Sequence, residues 1–157
     1  TTGESVTLSK QEKQEVIDFS KQKINGRVGF VVGIGANNTA MVLEQIRQFN
    51  FEGVDAILSV SPAYNKPTQE GIFQHYMAIA EACPVDIIIY NVPGRTSSNV
   101  SAETTLRLAK ANKKFVAIKE ASGNLAQCME IVKGRPEGFL LLSGDDNLTL
   151  PMIASTF

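Results

Sequence analysis

Five short apolar runs recur along the chain at intervals of roughly 24 to 30 residues, the repeat expected of successive strand–helix units. They occupy 28–35, 56–61, 86–92, 115–121 and 139–143. Each is too short for a helix and is rich in β-branched and aromatic residues. None alternates apolar with polar, so the pattern describes strands covered on both faces, as in a parallel sheet. The segments between them carry helix punctuation. Ser9 and Glu12 form a capping box, and Asn25-Gly26 stops the helix it opens. Asn38 or Thr39, then Thr68 and Ser101, stand where the next helices need caps. The third helix places Ile72, Tyr76, Ile79 and Ala80 on one stripe and leaves His75 on its polar side. A further helix follows Ser122-Gly123-Asn124. Strict alternation leaves two α/β architectures, a (β/α)8 barrel and an open doubly wound sheet.

The 157 residues suffice for one domain with a substantial core. A net charge of −1 argues against a nucleic-acid surface or an anchor on acidic membranes. No apolar stretch approaches the roughly 20 residues of a membrane helix, and no secretory signal opens the chain. Cys83 and Cys128 form no C-x-x-C and read as small core residues of a reducing, cytoplasmic compartment. The chain opens on Thr1-Thr2-Gly3-Glu4 and stops at Phe157 within a helical pattern. It therefore reads as an excerpt of a longer protein, and the piece alone is expected to be neither stable nor active.

In both architectures functional groups collect at the carboxyl ends of strands. The run Phe115-Val116-Ala117-Ile118-Lys119 ends on a lysine. Simple alternation puts Phe115, Ala117 and Lys119 on one face. If that face is the interior, an amine is held where water is scarce. Desolvation there favours the neutral form, which imine chemistry requires. The competing reading is a lysine that snorkels to solvent. The letters V-A-I-K also match the lysine strand of protein kinases, but no H-R-D or D-F-G follows. Tyr90 lies near the end of the preceding strand. It is either a core tyrosine or, beside an amine, a proton shuttle. Arg95 follows in a proline-glycine loop, where a guanidinium suits carboxylate recognition. Gly33-Ile34-Gly35 opens a helix, but Asn38 replaces the third glycine of a dinucleotide fingerprint. Asp145-Asp146 reads as a helix cap rather than a cation site. With one histidine, His75, metal and serine–histidine chemistry lack material.

The strings Thr1-Thr2-Gly3-Glu4-Ser5, Ser61-Pro62-Ala63-Tyr64-Asn65-Lys66-Pro67, Tyr90-Asn91-Val92-Pro93-Gly94-Arg95-Thr96, Ile118-Lys119-Glu120-Ala121-Ser122-Gly123-Asn124 and Leu142-Ser143-Gly144-Asp145-Asp146 occur in order. Together they closely resemble the pyruvate-dependent class I aldolases, the family that holds the dihydrodipicolinate synthases and the N-acetylneuraminate lyases. The resemblance implies a (β/α)8 barrel, of which this chain runs from about the end of strand 2 to the helix after strand 7. It implies Lys119 as the imine-forming lysine and Tyr90 as proton donor and acceptor. Thr1 would link Tyr90 to Tyr64, a tyrosine that reaches into a neighbouring subunit. Thr2 would hold the pyruvate carboxylate, Arg95 the carboxylate of L-aspartate 4-semialdehyde, and Gly144 would shape the pyruvate pocket. No metal or organic cofactor is implied, and the assembly implied is a dimer of dimers. Arg95 favours the synthases over the keto-sugar-acid aldolases, which usually lack it. Lys13, Met41 and Ala63 depart from the pattern of lysine-inhibited relatives, so weak or absent inhibition by lysine is expected. Against these two lyase readings stands a nucleotide-binding α/β domain built on Gly33-Ile34-Gly35.

Overall fold

The computed structural model describes residues 2–155. In chain order the elements are α1 (Lys10–Ile24), β1 (Val31–Gly33), α2 (Thr39–Gln48), β2 (Ala56–Val60), α3 (Gln69–Ala82), β3 (Asp86–Asn91), α4 (Pro93–Thr96), α5 (Ala102–Ala111), β4 (Phe115–Glu120), α6 (Leu125–Gly134), β5 (Leu140–Ser143) and α7 (Thr149–Ala154). Single 3-10 turns cover Ser5–Thr7 and Asp146–Leu148.

The five strands are all parallel and lie in the order β1-β2-β3-β4-β5. A doubly wound sheet reverses its strand order at a switch point; this sheet does not. Successive helices α2, α3, α5 and α6 pack beside one another in the same order. One layer of helices on one side of a singly wound sheet is the wall of a (β/α)8 barrel. Local chemistry closes each unit. Ser9 and Glu12 make the reciprocal capping box of α1. Asn38, Thr68, Ser101 and Asn124 each accept a first-turn N–H with the side chain.

Strand register sorts the residues into two faces. Val32, Ile57, Ile87 and Phe115 form one row of partners toward the helices, and Ile89 with Ile118 belongs to another. These residues form the centre of the core, with Ile57, Ile87, Ile89 and Ile118 fully buried. The concave face carries Leu58, Ile88, Ala117 and Leu140 in one row and Val60, Tyr90, Lys119 and Leu142 in the next. Coverage of both faces holds only on the helix side. On the concave side Val31, Leu140 and Leu142 are exposed.

Two expectations are corrected. Phe115 does not share a face with Lys119. Ile87 pairs with Phe115 but Ile88 pairs with Ala117, so Val116 is an extra residue without a partner in β3. This irregularity resets the alternation. Phe115 turns to the helices, edge-on to Tyr76 at 6.1 Å between ring centres. His75 is not on a polar face; it is 3% exposed between α2 and α3, with Nδ1 at 2.8 Å from the Thr39 hydroxyl. Helix α3 packs against α2 and α5, and its Tyr76 hydroxyl donates to the Ser59 carbonyl of β2, so its buried stripe is too wide to leave His75 outside.

Candidate active site

Tyr90 and Lys119 are register partners near the carboxyl ends of β3 and β4. Both project from the concave face, and Lys119 Nζ lies 4.7 Å from the centre of the Tyr90 ring. Tyr90 is buried and Lys119 half-buried. An ammonium over a phenol face is held by the ring quadrupole, which fixes the amine in place without neutralising it by a carboxylate. Beside the tyrosine a cleft of about 180 Å³ is lined by Gly33, Ile34, Gly35, Leu58 and Val60, together with Ser5, Lys13 and Gln45. Tyr90 thus borders this cleft on one side and meets the Lys119 amine over its ring.

The other expected residues lie on separate segments. Arg95 lies in α4, a single turn that begins with Pro93 at its first position. The structure thus replaces the expected loop by a short helix, which presents Arg95 exposed to solvent. Thr2 lies in an exposed turn. Thr1 lies outside the described residues. Tyr64 follows β2 and is 84% exposed on a left-handed backbone, φ 72°. Its N–H donates to the Thr96 carbonyl at 3.0 Å, and the Ser61 and Ser98 hydroxyls meet at 3.3 Å. The loops after β2 and β3 are therefore fastened to each other. Gly144 directly follows β5, and its N–H donates to the Glu120 carbonyl at 2.7 Å.

Glu120 and Asn91 were not among the expected residues. They are the next register pair after Tyr90 and Lys119, and they face the opposite side of the sheet. Asn91 is fully buried and Glu120 2% exposed. The Glu120 carboxylate accepts from Asn91 Nδ2, Gln127 Nε2 and the Ser122 N–H at 2.8 to 3.1 Å. Burial, with the Glu120 charge second, pushes the nearby Cys128 thiol up to about 11. The sequence signal was available: polar residues at helix-facing positions of otherwise apolar strands must be satisfied by one another.

Two other readings lose ground. At Gly33-Ile34-Gly35 a Cβ on Gly35 would meet Val60 Cγ2 at 3.0 Å, so close packing accounts for that glycine. The Ala40 N–H at the start of α2 is already taken by Asn38, which weakens an anion site there. Asp145 makes no side-chain cap; its carbonyl instead accepts from the Ser143 and Thr149 hydroxyls. No cluster of three potential metal ligands occurs among the described residues.

The model of the dihydrodipicolinate synthetase family matches residues 1–156. The 4-hydroxy-tetrahydrodipicolinate synthase of Flavobacterium psychrophilum is 54% identical over 153 residues, which are 98% of this chain and 52% of that protein. That of Cytophaga hutchinsonii is 54% identical over 154 residues, with the same two coverages. Among solved structures, the chloride-inhibited dihydrodipicolinate synthase from Acinetobacter baumannii, complexed with pyruvate, superposes with a TM-score of 0.92 at 40% identity. It covers 98% of this chain, and the chain covers 53% of it. The chain thus spans about half the length of the relatives it matches. Family model, sequence identity and fold agree along the described length, and the chain belongs to the dihydrodipicolinate synthetase family.

Proposed function

We propose that this chain carries the imine-forming centre of a 4-hydroxy-tetrahydrodipicolinate synthase, which condenses pyruvate with L-aspartate 4-semialdehyde. The observation that carries the reading is the Tyr90–Lys119 pair on the concave face, with Nζ held 4.7 Å above the ring. In this reading the Lys119 amine attacks the keto carbon of pyruvate. Water leaves and a protonated imine remains. That cation is an electron sink, so a methyl proton departs and an enamine forms. The enamine carbon attacks the aldehyde carbon, whose oxygen takes up a proton. The amine of the second substrate then displaces lysine and closes the ring. Tyr90, whose ring lies under the amine, would serve these proton movements.

The remaining residues take the roles that the family resemblance gives them. Arg95 is exposed beside the strand ends, where a guanidinium can grip the semialdehyde carboxylate. Thr2 would receive the pyruvate carboxylate, and Thr1 would join Tyr90 to Tyr64. Tyr64 stands out from its own fold, which suits a side chain offered to a second subunit and so a homo-oligomer. The lysine itself supplies the electron sink, so the reading calls for no metal or organic cofactor.

Incubation of the full-length protein with pyruvate followed by borohydride tests the reading. A reductively alkylated peptide bearing residue 119 is expected. No added mass on that peptide would overturn the assignment.

A further inference from the structure

Behind the Tyr90–Lys119 pair, on the far side of the same two strands, lies a closed polar cluster. Its centre is the Glu120 carboxylate. Oε1 accepts from the Ser122 N–H at 2.8 Å and from Asn91 Nδ2 at 3.0 Å. Oε2 accepts from Gln127 Nε2 at 2.8 Å and from Asn91 Nδ2 at 3.1 Å. Asn91 Oδ1 accepts the Val100 N–H at 2.9 Å. Asn91 Nδ2 also reaches Asn99 Oδ1 at 2.8 Å, and Asn99 donates to Gln127 Oε1 at 2.9 Å.

The cluster joins elements distant in sequence at one point. Asn91 ends β3, Glu120 ends β4, Gln127 is in the first turns of α6, and Val100 ends the segment that carries Arg95. A carboxylate has acceptors only, and all its contacts here are N–H donors. That makes the arrangement directional. Ordinary packing against the helices asks for an apolar residue at this parity, as at Ile89 and Ile118. A buried carboxylate there is costly unless every lone pair is used, and a half-satisfied network is worse than none. What the cluster fixes is the relative height of the ends of β3 and β4, hence of Tyr90 against Lys119.

Resting on the imine-forming reading, we propose that Glu120 is a positioning residue for that chemistry. Its carboxylate locks the Asn91–Glu120 pair, and this pair sets the geometry of the Tyr90–Lys119 pair one residue earlier.

The test replaces acceptor by donor and then swaps the two. Glu120→Gln turns an amide N–H toward either Gln127 Nε2 or the Ser122 N–H. The double variant, Asn91→Asp combined with Glu120→Gln, restores a donor opposite an acceptor and keeps one buried carboxylate. The transferred carboxylate still accepts from the Val100 N–H. The readouts are steady-state kcat and KM and the rate of borohydride trapping with pyruvate, on folded protein judged by circular dichroism. Glu120→Gln is expected to slow trapping by about thirtyfold while the pyruvate KM moves less than about threefold, since misplacement of reacting groups costs rate rather than binding. The swap is expected to return trapping to within about fivefold of the wild type, as a restored pair in a coupled network should. An unchanged rate in Glu120→Gln, or a folded swap no better than the single variant, overturns the proposal. If Glu120→Gln fails to fold, the swap decides: folded and trapping at the stated rate it supports the proposal; unfolded, or folded without trapping, it overturns it. Absence of an adduct in the wild type instead overturns the imine reading on which the proposal rests.

Discussion

Gly144 approaches Ala121 so closely that a Cβ on the glycine would lie 2.6 Å from the Ala121 Cβ and 3.0 Å from the Glu120 carbonyl oxygen. The carbonyl accepts the Gly144 N–H at 2.7 Å, which knits the exits of β4 and β5 together. The glycine is required by this close approach. Gly144→Ala must push the two exits apart, and overpacking of this kind costs about 1–3 kcal/mol. Urea unfolding should show that loss. Borohydride trapping at Lys119 should slow as well, because the displaced segment directly follows the lysine strand.

Arg95 makes no side-chain hydrogen bond or ion pair among the described residues, so its removal breaks no such bond there. Arg95→Ala should leave stability within about 0.5 kcal/mol of the wild type. Loss of a charge-assisted contact to the semialdehyde carboxylate should lower kcat/KM for that substrate by roughly 10- to 100-fold. Imine formation with pyruvate should be nearly unaffected. Equal loss in both steps would contradict the role.

Burial holds the His75 ring neutral in the fold and lowers its pKa to about 4. In the unfolded chain it titrates near 6.5. Below that value the unfolded state takes up a proton that the fold refuses, so stability is complete above pH 6.5 and declines as pH falls toward 4. The slope contributed is at most about 1.4 kcal/mol per pH unit. Unfolding free energies measured at several pH values should show this decline, and His75→Gln should flatten it. Equal slopes in the two proteins would rule out His75 as its source.

Lys10 and Lys13 line one groove with Gln14, Ile17 and Gln45, and Met41 is exposed nearby in sequence on α2. A free lysine ammonium entering there meets like charge and no carboxylate on those residues. Half-inhibition by lysine is expected only above about 1 mM, an affinity of roughly −4 kcal/mol or weaker. Inhibition curves at saturating pyruvate measure this directly; strong inhibition at micromolar lysine would refute it.

Much of this architecture was legible in the letters. The spacing of five apolar runs requires parallel strands joined by helices, and side chains such as Ser9, Thr68 and Ser101 mark their own helix starts. Lys119 and Tyr90 were legible as strand-end residues because parallel α/β sheets concentrate chemistry there. What the letters hide is pairing. Nothing in Phe115-Val116-Ala117 announces that Val116 lacks a partner, because an irregularity is a property of two strands, not one. The burial of His75 is hidden for a related reason: a helical wheel shows one stripe, whereas α3 is covered from several directions. Periodicity alone left the barrel and the doubly wound sheet open; the five motif strings implied the barrel, and the strand order bears it out.

The unpaired Val116 has a consequence for how this sheet can vary. It lies between the amino end of β4, which is locked into the helix side by Phe115, and the carboxyl end, which presents Lys119. The extra residue lets Phe115 face the helices while Lys119 faces the concave side, four positions later. Side-chain parity at the reactive end of β4 is therefore set apart from parity at its opposite end.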